Sequence, residues 1–273
     1  MRPETISWRV NAERLVLLGW SRAILLQLAH PLVAAGVADH SSFRGGRLAA
    51  ARRLHLTVRA MLALTFGDAR ERTAALEGIL AIHRRVNGHL AVAAGRFPAG
   101  TAYSAEDADL VLWVHATLLE SIPMIYDRVV RPLTPAERDA YCDEAAPIAL
   151  ELGARAGEIP RSWDGLEAYL KGMRESGSVA VSAQARELAS AVLTPAFAPL
   201  VAPAAWLNRL VTVGLLPPHI REQYGFQWTT ANDRTLARVA ATIRATRRVT
   251  PAAIAWWPAA FSAPRSQPDT PAR

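Results

Sequence analysis

The sequence predicts an all-α protein built as one helical domain, and three observations lead to this prediction. Alanine and leucine dominate the composition, whereas clusters of β-branched residues are few. Runs with the alternating polarity of a half-buried strand do not stand out. No linker separates two apolar cores and no internal repeat is visible, so residues 1–261 are predicted to form a single domain. The polar, proline-rich tail at 262–273 is predicted to be disordered.

The composition limits the classes of protein to which this chain can belong. A chain of 273 residues buries enough surface to fold without disulfides or a structural metal. The single cysteine, Cys142, excludes an internal disulfide and any zinc or iron–sulfur site made of cysteines alone. The N-terminal sequence MRPETISWRVNAER contains no apolar signal-peptide core, so we expect a cytoplasmic location.

The net charge of +7 comes mainly from arginine. A basic protein can bind nucleic acid or an anionic membrane surface. Here the arginines are scattered through predicted helices, and they form only pairs or triplets. Neither zinc-finger spacing nor an aromatic–basic RNA motif accompanies them. We therefore expect solvated helix faces and no nucleic-acid partner, while peripheral contact with a membrane stays open.

Apolar residues at three- and four-residue spacing predict a series of helices. These lie at 11–29, on either side of a break at 66–68 within 49–88, at 105–122, from Pro135, at 164–173 and from Asn232 to Arg248. Pro31 disfavours helical geometry at His30, which places that histidine at a helix end or turn. The clearest helix start is Thr134-Pro135-Ala-Glu137, with Thr134 as N-cap.

Two of these segments are unusually apolar. The helix at 105–122 lacks a polar face, which is typical of a central helix, and it carries His115. The segment 193–218 is interrupted by five prolines. It can line an apolar cavity or touch a membrane, but a packed set of short helices is the preferred interpretation.

The segment 49–88 has polar residues where its helical pattern predicts apolar ones. One face of its first helix carries Arg53, Thr57 and the apolar Leu64. In its second helix, His83 lies in an apolar stripe that begins at Ile79. An arginine, a threonine and a histidine on inward faces indicate a buried polar site.

The chain contains seven histidines, and helical geometry separates them into two groups. His55 points about 200° away from Arg53 around the helix, and a similar argument separates His89 from His83. His219 follows two prolines in a predicted loop. These three are expected to be structural or on the surface. The remaining candidates are His30, His40, His83 and His115.

Sequence patterns of several common enzyme classes are missing. No Glu-x-x-His pair for a di-iron site occurs, and neither does the zinc-protease pattern His-Glu-x-x-His. A Walker loop, a dinucleotide-binding glycine pattern and a Gly-x-Ser-x-Gly elbow are also missing.

A haem site makes fewer demands on the sequence. It needs one axial histidine, apolar walls, and cationic or hydroxyl partners for the propionates. His83 with Ile79 and Val86 meets the first two needs, and Arg53 with Thr57 meets the third. Spacing alone nevertheless favours a plainer interpretation, because a histidine on an apolar helix is more often a packed core residue.

Several motifs resemble the family of latex-clearing rubber oxygenases and MpaB-type oxygenases. They are HPLVAAGVADHSSF at 30–43, RLxxT at 53–57, FG at 66–67 and HxxVxG at 83–88. The segments YSA at 103–105, LWVHATL at 112–118, PLTPAER at 132–138 and IP…W at 159–163 continue the match in order. The resemblance covers roughly residues 11–260.

The resemblance implies a globin-like helical core that encloses a b-type haem. The axial histidine of the family falls on His83, and its arginine and threonine near the haem fall on Arg53 and Thr57. Asn87 or a backbone carbonyl would orient the second ring nitrogen of His83. The implied reaction is O2-dependent cleavage or oxygenation of a double bond in an apolar, isoprenoid-like molecule. His30 and His40 would assist on the other face of the iron, although structural hydrogen bonds suit them equally well.

Two positions depart from the latex-clearing pattern. Leu56 stands where those proteins carry a lysine able to ligate the haem, and no glutamate lies around Val37, where their catalytic acid is expected. Both departures argue against rubber cleavage. Two alternatives therefore remain beside an oxygenase: a haem-binding protein without oxygenase activity, and a helical scaffold without haem in which His83 and Arg53 are structural.

Overall fold

The computed structural model describes residues 5–40, 46–193 and 202–262, and for residues 46–54 it describes the helical backbone alone. The described residues form fourteen α-helices, one 3-10 helix and one two-stranded antiparallel sheet. The predicted all-α class is therefore confirmed. The tail that we predict to be disordered lies outside the described residues, apart from Ser262 at the end of the last helix.

The elements follow one another along the chain with short connections. The first eight are α1 (Ile6–Ala12), a 3-10 helix (Arg14–Gly19), α2 (Trp20–Leu28), α3 (Pro31–His40), α4 (Gly46–Phe66), α5 (Ala69–His83), β1 (Asn87–His89) and β2 (Ala102–Ser104). The others are α6 (Ala108–Val129), α7 (Pro135–Glu151), α8 (Trp163–Glu175), α9 (Ala183–Leu193), α10 (Ala202–Leu215), α11 (Pro218–Gln223), α12 (Thr230–Val249), α13 (Ala252–Ala255) and α14 (Pro258–Ser262).

Helix α6 lies at the centre of the fold, as its apolar composition predicts. Buried residues line it from Leu110 to Val129, and it packs against α2, α7, α8, α12 and the 3-10 helix. The helix is longer than predicted because Pro123 lies inside it instead of ending it. Asp107 is its N-cap, and its side chain accepts a hydrogen bond from the backbone N–H of Asp109.

Local capping signals explain where several helices begin. The capping box of Thr134 and Glu137 forms at the predicted residues, with Pro135 in the first turn of α7. Thr229 is the N-cap of α12, so the helix begins earlier than the predicted Asn232, which is the third helical residue of the same capping box. The box satisfies two backbone N–H groups that the start of a helix leaves without partners.

The predicted single helix at 11–29 is wrong, because three elements share this stretch. The backbone of Glu13 is extended and forms a bridge with Trp256, which separates α1 from the 3-10 helix. The Glu13 carboxylate accepts hydrogen bonds from the Arg247 guanidinium and from the indole N–H of Trp256.

Arg22 also has interior partners, which explains how a charged residue interrupts an apolar run. These partners lie far along the sequence: the Ser121 hydroxyl is 99 residues away, and the Leu215 carbonyl, which accepts from Arg22 Nε at 2.7 Å, is 193 residues away.

The segment after α5 contains a small hairpin that the sequence interpretation treats as loop. Strands β1 and β2 pair antiparallel, with Gly88 opposite Tyr103. Backbone bonds extend the pairing on both sides, from Leu90 N–H to Thr101 O at 2.8 Å and from Ala105 N–H to Val86 O at 2.8 Å. The hairpin therefore joins the end of α5 to the start of α6.

One helix of the described chain is long and apolar enough to cross a membrane, namely α6. The residues 14–28 and 31–40 together pass the same test, but they are bent by 104° at the break between them. Since 61% of the apolar window of α6 is buried inside the protein, it fits a central core helix, and no clear transmembrane span emerges.

Candidate functional site

His83 is the last residue of α5, and its ring is half-buried. Its Nδ1 atom is buried and has no hydrogen-bond partner. Burial lowers the pKa of His83 below its ordinary value, and Glu106 opposes this shift. The imidazole is therefore neutral at pH 7, and a neutral imidazole is the form that ligates a metal.

The turn that follows His83 is tightly hydrogen-bonded. The backbone N–H of Val86 donates to the carbonyl of His83 at 3.0 Å, and Arg85 donates to Ile82 at 3.0 Å. Val86 then accepts from Ala105. These bonds fix the backbone at the end of α5, and they therefore define the position of the Cα atom that carries the His83 ring.

Tyr103 on β2 packs beneath this turn. Its hydroxyl donates to the carboxylate of Asp39 at 2.6 Å, and burial together with Asp39 raises the pKa of Tyr103. A Cβ atom added to Gly88 would lie 2.5 Å from the Tyr103 hydroxyl, and one added to Gly36 would lie 3.5 Å from its ring. The close approach of the ring therefore requires glycine at position 88.

His40, at the end of α3, also contacts this turn. Its Nε2 donates to the backbone carbonyl of Asn87 at 2.8 Å, and its ring meets the edge of Tyr103 with centroids 6.3 Å apart. The side-chain amide of Asn87 donates to the carbonyl of Arg84 at 3.4 Å. His40 and Asn87 are thus brought together, and neither hydrogen-bonds His83.

Helix α4 directly precedes α5 in the sequence and packs against it. Leu64 is buried on α4, as predicted, whereas Thr57 is exposed, so the expected inward face does not extend to that residue. The side chain of Arg53 lies outside the described residues. The roles of Arg53 and Thr57 toward a cofactor therefore stay predictions.

The second half of the expected apolar pocket is also more open than predicted. Helix α5 contains no fully buried residue, and Ile79 is only half-buried. Leu56 on α4 and Ile82 on α5 are 52% and 62% exposed. Both helices thus leave apolar side chains at the surface, and Ile82 directly precedes the candidate histidine in the sequence.

His30 lies in the core, and His115 is a half-buried residue of α6 with a buried ring nitrogen. His30 is buried with Nδ1 unpartnered, and its ring contacts Phe97 and Trp113 with centroids 5.1 and 6.4 Å apart. Burial, helped by Arg96, lowers the pKa of His30 to about 4. Burial likewise lowers the pKa of His115 to about 4, and its Nε2 has no partner. Both rings are therefore neutral at pH 7.

The exposed histidines match their prediction. His55 on α4 and His89 on β1 are exposed, and so is His219, although it lies in α11 and not in a loop. The sequence interpretation missed Asp39 as the partner of Tyr103. Asp39 precedes His40 directly in the sequence, but only the fold brings it to a tyrosine 64 residues away.

Two cavities stand out, and neither is lined by His83. A small one of about 20 Å³ lies between the N-terminal elements, α4 and Trp257. A larger one of about 460 Å³ is lined by residues of α2, α6, α8 and the turn between α10 and α11. Within the described ranges, no cluster of three or more His, Cys, Asp and Glu side chains is arranged to hold a metal ion.

Comparison with known proteins identifies the family. Residues 8–245 match the family described as ER-bound oxygenase mpaB/B'/Rubber oxygenase, catalytic domain. The chain belongs to this family. The match includes His83 and the turn that follows it, and it confirms the resemblance seen in the motifs.

The relatives found among curated proteins are themselves uncharacterized. One is from Mycobacterium bovis and one from Mycobacterium tuberculosis, each 26% identical over 231 residues. The aligned region covers 84% of this chain and 87% of each relative. No solved structure matches the chain. The comparisons thus support an oxygenase catalytic domain and leave its cofactor and substrate open.

Proposed function

We propose that this protein is a haem b-dependent oxygenase that uses O2 to cleave or oxygenate a double bond in a small apolar, isoprenoid-like molecule. His83 would be the axial ligand of the iron. The observation that carries the proposal is its neutral imidazole, which has one buried nitrogen without a partner at the end of α5 in an oxygenase-family chain.

The residues present fit a haem in three respects. A single histidine suffices as protein ligand, so a cluster of several metal-binding side chains is not required. The exposed Leu56 and Ile82 supply apolar surface on α4 and α5 of the kind that a macrocycle covers. Arg53 and Thr57 lie one helical turn apart on α4, a spacing that suits a propionate.

The haem would supply the binding and activation of O2. This chain would hold the ring of His83 through the turn that Tyr103, Asp39 and His40 brace. Such outer contacts position a metal ligand without touching the metal. In this proposal the backbone carbonyl of Asn87 accepts the hydrogen bond from His40. The side-chain amide of Asn87 donates to the carbonyl of Arg84.

His30 would take its predicted place near the reacting molecule, whereas His40 would act only through the turn after His83, because its Nε2 donates to the carbonyl of Asn87. His30 is neutral at pH 7 and has an unpartnered ring nitrogen, so it can accept a hydrogen bond in an apolar setting. The rings of Phe97 and Trp113 keep water from His30. An apolar substrate suits these surroundings because it brings no polar group that must be desolvated.

The test is an absorption spectrum of the full chain after haem reconstitution, compared with His83→Ala. The control is His55→Ala, an exposed histidine of the neighbouring helix. We expect a Soret band in the parent and the control that is lost or shifted in His83→Ala. A missing band in the parent, or an unchanged band in His83→Ala, would overturn the proposal.

A second measurement separates an oxygenase from a haem-binding protein without that activity. Oxygen consumption is recorded with the haem-loaded protein and squalene as a linear isoprenoid olefin, beside saturated squalane. We expect uptake with the olefin only. A Soret band without uptake for a panel of olefins would establish the haem and refute the oxygenase reaction.

A further inference from the structure

The larger cavity is a candidate binding site that the oxygenase proposal does not use. Its volume is about 460 Å³, which lies in the range of small-molecule sites. Four parts of the fold meet there: α2, α6, α8 and the turn from α10 into α11. Its lining residues are Arg22, Glu120, Met124, Arg128, Arg174, Gly214, Leu215, Leu216, Pro217, Pro218 and His219.

Arg22 forms the buried wall of this cavity and is fully paired within the protein. Its guanidinium forms an ion pair with Glu120 at 2.8 Å and donates to the Ser121 hydroxyl at 2.6 Å. Its Nε donates to the carbonyl of Leu215. The single carboxylate of the cavity is therefore already occupied by the buried arginine.

Arg128 and Arg174 are the other two cations of the lining. Within the described part of the chain, neither side chain has a carboxylate partner, and Arg174 is only half-exposed. Burial lowers the pKa of Arg22 and Glu120 opposes this shift, while the nearby charges of Arg128 and Arg174 add to it. The lining of the cavity thus contains three guanidinium groups and one carboxylate.

The remaining lining is neutral and largely apolar. Burial and Arg174 lower the pKa of His219, so its ring adds no positive charge at pH 7. Met124, Leu216 and Pro217 supply apolar surface beside the arginines. A ligand that fits such a cavity carries a negative group at one end and an apolar body at the other.

We propose that this cavity binds a small organic anion, with its carboxylate or phosphate group between Arg128 and Arg174. The anion would offset the repulsion among the three arginines, and guanidinium groups match the geometry of both oxyanions. The apolar part of the ligand lies against Met124 and Leu216. His83 does not line this cavity, so the inference is independent of the proposed haem site.

Calorimetric titration of the full chain tests this inference with octanoate, octyl phosphate and inorganic phosphate, and with octanol as a neutral probe of equal chain length. We expect at least one octyl anion to bind much more tightly than octanol, and which of the two binds better identifies the preferred head group. Raising the salt concentration should weaken binding, because the arginines lie near solvent.

Two variants and one matched control make the titration specific. Arg128→Gln and Arg174→Gln should each lower the affinity about tenfold or more, the usual effect of losing a charge-assisted hydrogen bond. Arg70→Gln removes an arginine of α5 outside the cavity lining and should leave the affinity unchanged. Thermal unfolding of each variant checks that the fold is retained.

Two results would overturn the inference. The first is an octyl anion that binds no better than octanol, or equally well to all three variants. The second comes from cosedimentation with phosphatidylglycerol vesicles, an experiment that distinguishes binding to a membrane surface from binding of a free ligand. Loss of vesicle binding in the two cavity variants, without binding of any free octyl anion to the parent, would assign the arginines to a lipid surface.

Discussion

The helix at the centre of the fold and the helix that carries His83 differ sharply in how they are held. Helix α6 carries buried residues from Leu110 to Val129, and it contacts elements from both the N-terminal and the C-terminal half of the chain. Helix α5 has no fully buried residue, and its main neighbour is α4. Helix α6 belongs to the core, whereas α5 packs mainly against α4 and contributes no fully buried residue.

The difference indicates where stability and function reside. Apolar burial dominates folding free energy, so the region around α6 sets the global stability. Few buried contacts and exposed apolar residues are the marks of a segment that opens locally at low free energy. The candidate site therefore depends on a few polar contacts after His83, above all those of Tyr103 and His40.

Removal of a large core side chain gives the largest expected effect. Trp113 on α6 is 2% exposed, and its indole N–H donates to the carbonyl of Gln27 at 3.3 Å. Trp113→Ala should lower the free energy of unfolding by about 3–5 kcal/mol, because it leaves a cavity that the surroundings refill only partly. Urea denaturation at neutral pH measures the change.

Ile82→Ala on α5 is the matched control for the core substitution. Its side chain is 62% exposed, so the expected change is within about 0.5 kcal/mol. A loss of several kcal/mol for this variant would show that α5 is buried in the state that unfolds, and the contrast between the two helices would disappear.

His30 and His115 should make stability dependent on pH. The folded-state pKa of His30 is about 4, below the 6.5 of an unfolded histidine, so the unfolded chain binds more protons between these values. The stabilisation is complete above pH 6.5 and is lost as the pH falls toward 4, by up to about 1.4 kcal/mol per pH unit. His30→Phe keeps an apolar ring beside Phe97 and should reduce the slope over this window.

Two other histidines provide the comparison for this slope. His115 has the same low pKa, so some of the slope should persist in His30→Phe. His89→Gln alters an exposed residue and should leave the slope as it is in the parent. Urea denaturation at several pH values between 4 and 7 gives the slopes, and equal slopes in all three proteins would refute the core assignment of His30.

Local signals explain which parts of the fold could be predicted from sequence. The start of α7 was predicted to the residue because Thr134 and Glu137 satisfy each other's backbone within one turn. The break at Glu13 could not be predicted, since it depends on Trp256 and Arg247 at the other end of the chain. A local pattern does not contain such long-range partners.

The candidate site was predictable only in part for the same reason. The motif at residues 83–88 is part of the match to the family, but the predicted continuation of the helix through Val86 is wrong, because α5 ends at His83 and a strand begins at Asn87. The burial of Thr57 was inferred from helical periodicity, which gives the face of a helix but not whether that face is covered. The contact between Asp39 and Tyr103 needed the folded arrangement of α3 on the hairpin.

A substitution in the turn after His83 tests how much the site depends on its polar contacts. Gly88→Ala places a methyl group where the hydroxyl of Tyr103 lies, so the ring must move and its bond to Asp39 must weaken. We expect a loss of about 1–3 kcal/mol, the usual effect of overpacking, in urea denaturation. The ring of His40 should shift as well, since it rests against Tyr103, and NMR of the two rings reports this directly.

Gly78→Ala is the matched control, because a Cβ at this position of α5 meets nothing within 4 Å. Replacing glycine by alanine inside a helix should stabilise α5 by about 0.5–1 kcal/mol and slow its amide exchange, without shifting the ring signals of Tyr103 or His40. The opposite signs of the two glycine variants would separate the helix from the turn that fixes its end. If Gly88→Ala were neutral and left both ring signals unchanged, the contacts of Tyr103 would not hold the turn, and the position of His83 would depend on α5 alone.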